Sequence, residues 1–191
     1  MEINIVANGK QIVFRLDRKR EEYVARVLLD EWAGYRSENA TAENTEGRIS
    51  LICCEYLGDD DKPRIAGVQA YSRAAEWFFG NRPAIQAAVL PALLEYAVSV
   101  GQELKAAGYE IEGFDTLSST DQLKNILTLC RVYFHPFHRE GRPYLGLEFE
   151  CDWDPEHACG VMLHGNEVRE CGMSGTASGV EFDISQDGGV I

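Results

Sequence analysis

Six residues between positions 148 and 157 have side chains that could carry chemistry: Glu148, Glu150, Asp152, Asp154, Glu156 and His157. Two uses fit such a set. Carboxylates and an imidazole can hold a divalent cation, and a cation so held activates water. On that reading Asp154, Glu156 and His157 are the ligands of a metal-dependent hydrolase. On the other reading the acids stay ionised and solvated: Glu148, Glu150 and Asp152 on an open sheet face, with Asp154 and Glu156 at the adjoining turn, form a negative docking surface for a basic protein. Spacing favours the second. His135 and His138 precede the segment and His164 follows it, but residues three apart on a regular strand project to opposite faces, so His135 and His138 cannot both reach one ion. Asp154 also has a sufficient role inside the turn Asp154-Pro155-Glu156-His157, where aspartate accepts backbone N–H bonds and proline fixes φ.

Other chemistries find less support. Ser118-Ser119-Thr120 sits where a helix cap is expected, and there is no Gly-x-Ser-x-Gly elbow. Cys159 lies two residues from His157, on the same face of a strand, but no third group orients the pair. Glycine patterns for phosphate binding are missing, so no cofactor is implied and no catalytic residue is assigned. Asp59-Asp60-Asp61 lacks the alternating spacing and terminal glutamate of a calcium loop, and reads as a solvated turn. None of the six cysteines (Cys53, Cys54, Cys130, Cys151, Cys159, Cys171) forms a Cys-x-x-Cys pair. They are expected as reduced thiols, mostly buried in strands.

The elements that must position the acids follow from periodicity. Leu145, Leu147, Phe149, Cys151 and Trp153 alternate with Gly146, Glu148, Glu150 and Asp152, which predicts a strand with one packed face and one wet face. Strands are predicted around it at Val132 to Phe137, Gly160 to His164 and Glu167 to Cys171, joined by short connections into an antiparallel meander. Upstream, Asn8-Gly9 predicts a hairpin between residues 3–7 and 11–16. Asp17 is expected to cap a helix from Arg18 to Tyr35, because Tyr23, Val24, Val27, Leu28 and Trp32 follow a three-four spacing. Residues 37–47 read as an exposed loop, Ile49 to Leu57 and Ile65 to Tyr71 as strands. Asn81 is expected to cap a helix with Pro83 in its first turn, kinked or divided at Pro91 and ended by Gly108. Ser119 or Thr120 should cap a short helix from Asp121 to Leu129. Val180 to Ile184 reads as a last strand.

The blocks Val132-Tyr133-Phe134-His135-Pro136, Tyr144-Leu145-Gly146-Leu147-Glu148-Phe149 and Trp153-Asp154-Pro155-Glu156-His157-Ala158-Cys159-Gly160-Val161 carry a resemblance. With the later Val168-Arg169-Glu170-Cys171-Gly172 strand, they resemble a family of bacterial domains of unknown function whose signature is Trp-Asp-x-Glu-His-Gly-x-Gly-Val. Ala158 stands where that signature has glycine. The resemblance spans roughly residues 20 to 180 and implies a bacterial origin and the company of toxin-immunity proteins; it implies no catalytic residue.

The chain has 191 residues, enough for one core, and 45% hydrophobic residues. Its formal charge is −13, with a pI near 4.7. Such a surface repels nucleic-acid phosphates and anionic membranes and steers basic proteins toward it. Met1-Glu2-Ile3-Asn4 opens into a strand-like pattern with no basic and apolar leader, and the apolar window from Ala84 to Val100 is broken by Pro91 and Glu95, so a cytoplasmic protein is expected. The expectation is therefore a single α+β domain over residues 1–184 with a loose tail at 185–191: a mostly antiparallel sheet, two or three helices on one face and a C-terminal β-meander. Its expected role is an acidic protein-interaction domain, an immunity-type inhibitor of a basic toxin. The alternatives are the hydrolase above and a structural or adaptor module that self-associates through a sheet edge.

Overall fold

A computed structural model of the chain describes residues 2–57, 63–109 and 113–179. Asn8 and Gly9 take φ of 50° and 72°, the turn that right-twisted strands need, and join β1 (Glu2–Ala7) to β2 (Lys10–Asp17). The helix expected from Arg18 to Tyr35 does not form. Residues 22–28 are a strand, β3 (Glu22–Leu28), in which Tyr23 and Ala25 are buried while Arg26 and Leu28 are exposed. Two-residue alternation overrides the three-four spacing, because a strand here pairs with β4 (Arg48–Cys53) from Tyr23 to Leu28 and with β2 from Glu22 to Val24. Asp17 instead accepts the Lys19 N–H at 2.9 Å in the turn between β2 and β3.

The expected strand at Ile65 to Tyr71 is also corrected. After a short pairing of β5 (Tyr56–Leu57) with β6 (Pro63–Arg64), one helix, α2, runs unbroken over Val68–Ala106. Asn81 is not its cap, and neither Pro83 nor Pro91 divides it. Both prolines sit on the exposed side, and Asn81 Nδ2 donates to the Trp77 carbonyl at 2.8 Å. Gly108, at φ 87°, follows its end. Tyr71, Phe78, Ile85, Val89, Leu93 and Ala97 recur on one stripe that is buried on the sheet. By length and composition α2 is the one helix among the described residues apolar enough to cross a bilayer; in this fold that stripe is the core.

A 3₁₀ turn over Thr120–Asn125, closed by a capping box between Ser119 and Gln122, stands where a short helix to Leu129 is expected. The strand β7 (Leu127–Arg139) takes over at Leu127 and is followed by β8 (Arg142–Cys151), β9 (Cys159–His164) and β10 (Glu167–Met173). All three connections are antiparallel, as the meander required. The eight-stranded sheet has the order β1-β2-β3-β4-β7-β8-β9-β10, with a single parallel pair, β4 with β7, on either side of the α2 crossover. The fold is thus α+β with a mostly antiparallel sheet.

The helices are divided between the faces. Among the described residues α2 covers the core face, joined there by Trp32 and Leu123 of the 3₁₀ turns Asp30–Trp32 and Thr120–Asn125. Short α1 (Ala42–Thr45) and α3 (Gly175–Ser178) lie on the opposite, outer face. There Gly146 and Gly160 make room for α3: a Cβ on Gly160 would lie 2.8 Å from the Met173 and Ser174 carbonyls, and one on Gly146 would strike the Ala177 carbonyl. Asp59 to Asp61, Val180 to Ile184 and the tail at 185–191 lie outside the described residues.

Candidate functional site

The outer face of the sheet is only half covered. α3 closes it over β8 and β9, where the buried His135 ring donates from Nε2 to the Ala177 carbonyl at 3.0 Å, and burial pushes its pKa down to about 4. Toward β2, β3, β4 and β7 it stays open among the described residues, apart from short α1 and the residue before it. The segment 41–44 rises as a wall, and a groove of about 520 Å³ remains. The strand registers set Glu22, Val24 and Arg26 beside Ser50 and Ile52 of β4, then Arg131 of β7 and Glu148 of β8.

The floor of the groove is a charged network. Arg131 Nη1 donates to the Tyr133 hydroxyl at 3.2 Å and lies 3.8 Å from Glu148 Oε2. The Tyr133 hydroxyl in turn donates a short bond to Glu148. Burial and the Glu148 carboxylate push the Tyr133 pKa upward. Glu150 next along β8 has its pKa raised, by burial first and by Glu148 second. Across the groove Glu22 is raised by burial, then by Glu148 and Asp17, and its Oε2 is buried without a hydrogen-bond partner among the described residues. Arg131 thus serves Glu148 directly and Glu150 at longer range, while the charges that act on Glu22 are carboxylates. Three further arginines line the groove: Arg26 of β3 pairs with Glu43 at 2.8 Å, Arg48 of β4 with Glu46 at 3.6 Å, and Arg20 lies in the turn between β2 and β3. Acids outnumber arginines in this lining by one, Asp17, Glu22, Glu43, Glu148 and Glu150 against Arg20, Arg26, Arg48 and Arg131, in a concave, partly desolvated place where a further cation would be favoured.

The five acids singled out from the sequence do not form one surface. Glu148 and Glu150 line the groove, half-buried and not fully wet, because the wall and Arg131 shelter the outer face of β8. Asp152 is a tether: its Oδ1 accepts the Ser37 hydroxyl at 2.6 Å and the Glu38 N–H at 2.8 Å. Ser37 is buried, and its N–H donates to Thr128 Oγ1 at 2.7 Å, so the start of the segment read as an exposed loop is anchored. Asp154 Oδ1 accepts both the His157 N–H at 3.1 Å and its ring Nδ1–H at 2.9 Å, in the turn between β8 and β9. Glu156 is exposed in that turn. Among the described residues no three His, Cys, Asp or Glu side chains come together to hold a metal ion. Ala158 closes the turn with φ 57°, a left-handed conformation that favours glycine.

Glu22 and Arg131 escaped the sequence reading. The signal for Glu22 was available in the alternation of Tyr23 and Ala25 with Val24 and Arg26, which places Glu22 on the wet face of a strand. Arg131 adjoins an irregularity in β7, where the register with β8 shifts between Leu129 and Arg131.

A model of one protein family matches residues 21–177, from the first residues of β3 to α3. The chain belongs to the family DUF6985, a domain of unknown function. The match takes in every element of the groove floor, and the β1–β2 hairpin precedes it. No curated protein and no solved structure matches the chain.

Proposed function

We propose that this domain is a protein-interaction module whose outer-face groove receives basic side chains of a partner protein. One observation carries the reading: Glu22, Glu148 and Glu150 face a common hollow, burial and Glu148 raise the pKa of the other two, and the Glu22 Oε2 is buried with no hydrogen-bond partner among the described residues. A fold tolerates such a cost where a ligand offsets it. An ammonium or guanidinium entering the groove would meet charge-assisted acceptors, and the net charge of −13 would speed its arrival. The partner class is a basic protein. In the finer form of this proposal the partner is a cognate toxin, the domain is its cytoplasmic immunity protein in a bacterium, and the Trp153 to Val161 segment is the family's signature.

The test is calorimetric titration of the domain with the purified product of the adjacent reading frame at low and at physiological salt. Micromolar or tighter affinity that weakens with salt, and weakens further in Glu22→Gln/Glu150→Gln, is expected. Affinity untouched by the double substitution would remove the groove from the account.

A further inference from the structure

The two strands that lead into the groove do not stay paired. β2 and β3 are joined by three residue pairs next to their turn: Asp17 with Glu22, Leu16 with Tyr23 and Arg15 with Val24. Beyond Arg15 and Val24 they part, and the gap is a cleft of about 540 Å³ between Gln11–Val13 and Ala25–Val27. Antiparallel alternation identifies what faces it. The Asn8-Gly9 turn closes on Ala7 and Lys10, so Lys10, Ile12 and Phe14 bond to β1, while Gln11 and Val13 direct their backbone groups away from it. On β3 the residues Glu22 and Val24 face β2, hence so do Arg26 and Leu28. Tyr23, Ala25 and Val27 face β4, and the Leu29 N–H continues that series by donating to the Gly47 carbonyl at 2.9 Å. Gln11, Val13 and Arg26 in the cleft, and Leu28 just past its lining, therefore each direct an N–H and a C=O to this side. Among the described residues no backbone partner is found for these groups on that side.

We propose that this cleft is a strand-insertion site: an extended segment of the partner enters between β2 and β3 and pairs with both. The occupant is set by what the cleft offers. Main-chain donors and acceptors on two walls call for an extended backbone, as in other cases of strand addition. Ile12 and Val27 pack against the core from the edges of the opening, so the inserted segment is apolar at alternate positions on its inner side. The cleft and the groove share Asp17, Val24 and Arg26 as lining, so a segment lying in the cleft brings its end to the groove carboxylates, and a basic end is the complementary one. That last requirement rests on the function proposed above; the insertion itself does not.

The probe is the peptide acetyl-Thr-Val-Thr-Val-Thr-Lys-Lys-amide, added to the full chain while amide exchange is followed by NMR and affinity by calorimetry. In the free domain the amides of Gln11, Val13, Arg26 and Leu28 exchange fast while those of Ile12, Phe14, Ala25 and Val27 are protected. The peptide protects the first set. N-methylation of its two valines removes main-chain donors but keeps every side chain, and weakens binding by about tenfold or more, the sum of one or two net hydrogen bonds. Protection of all eight amides before any peptide is added would overturn the proposal, as would equal binding of the N-methylated peptide. Protection that grows with domain concentration alone would replace the partner segment by a second copy. If N-methylation weakens binding but Glu22→Gln/Glu150→Gln does not, insertion stands and the groove reading falls.

Discussion

Replacing Glu22 by glutamine separates what the fold needs from what the groove is for. The Glu22 side chain is half-buried, its Oε2 has no hydrogen-bond partner among the described residues, and the charges that raise its pKa are the carboxylates of Glu148 and Asp17. A buried acceptor left unsatisfied costs about 1–3 kcal/mol. The amide keeps one oxygen in that place but removes the charge, so a recovery of about 1 kcal/mol is expected, or roughly 2–4 °C in Tm for a domain of this size. The sign with pH is definite. Burial and like charge raise the Glu22 pKa above its ordinary 4.5, so the ionised form burdens the folded state above that pKa, and the burden lifts as protons bind on acidification. Glu22→Gln is therefore more stable than wild type at pH 7, and the difference shrinks as pH falls toward 4.5. Urea unfolding of both proteins across this range measures it. A variant that is less stable at pH 7, by a similar amount, would show that the carboxylate has a favourable partner and that the floor is not over-charged.

Other substitutions test the frame that holds the groove. Ala158→Gly relieves a left-handed alanine at φ 57° and should raise stability by about 1 kcal/mol, read from a denaturation midpoint. Gly146→Ala drives a methyl into the Ala177 carbonyl, so α3 must shift at a cost of about 1–3 kcal/mol. The His135 imidazole then loses its cover, and its pKa, read by NMR titration, climbs from about 4 toward the usual 6.5. In the unaltered protein that buried neutral histidine contributes stability that is whole above pH 6.5 and declines as pH falls through about 4, opposite in sign to Glu22. Ser37→Ala removes the hydroxyl that binds Asp152 and should cost about 1–2 kcal/mol, with faster amide exchange at Glu38.

The C-terminal meander was legible because its physics is local. Alternation through Leu145 to Trp153, short connections and turn residues all point to the same strands, and the structure has them. The first half failed where a local rule was true but outvoted. Val24, Leu28 and Trp32 do recur at helical spacing, yet β3 is a central strand held by partners 20 to 30 residues away in sequence at Arg48 to Cys53, and no short window along the chain contains that pairing. Pro83 and Pro91 are helix breakers by intrinsic preference, but both lie on the exposed side of α2 while its buried stripe runs on past them. The same limit applies to the site. Glu148 and Glu150 could be picked out as the outward residues of one strand. Their convergence with Glu22, more than 120 residues earlier, required the sheet order, and so did the discovery that Asp152 faces a loop and not a partner.

The central claim is that basic side chains enter the outer-face groove, and chemical-shift mapping of the labelled domain with its basic partner tests it most directly. The account predicts the largest changes at Glu22, Ser50, Arg131, Glu148 and Glu150, fading as pH falls and the raised carboxyls of Glu22 and Glu150 take up protons. Changes centred on the Asp154 to His157 turn, with the groove silent, would contradict it.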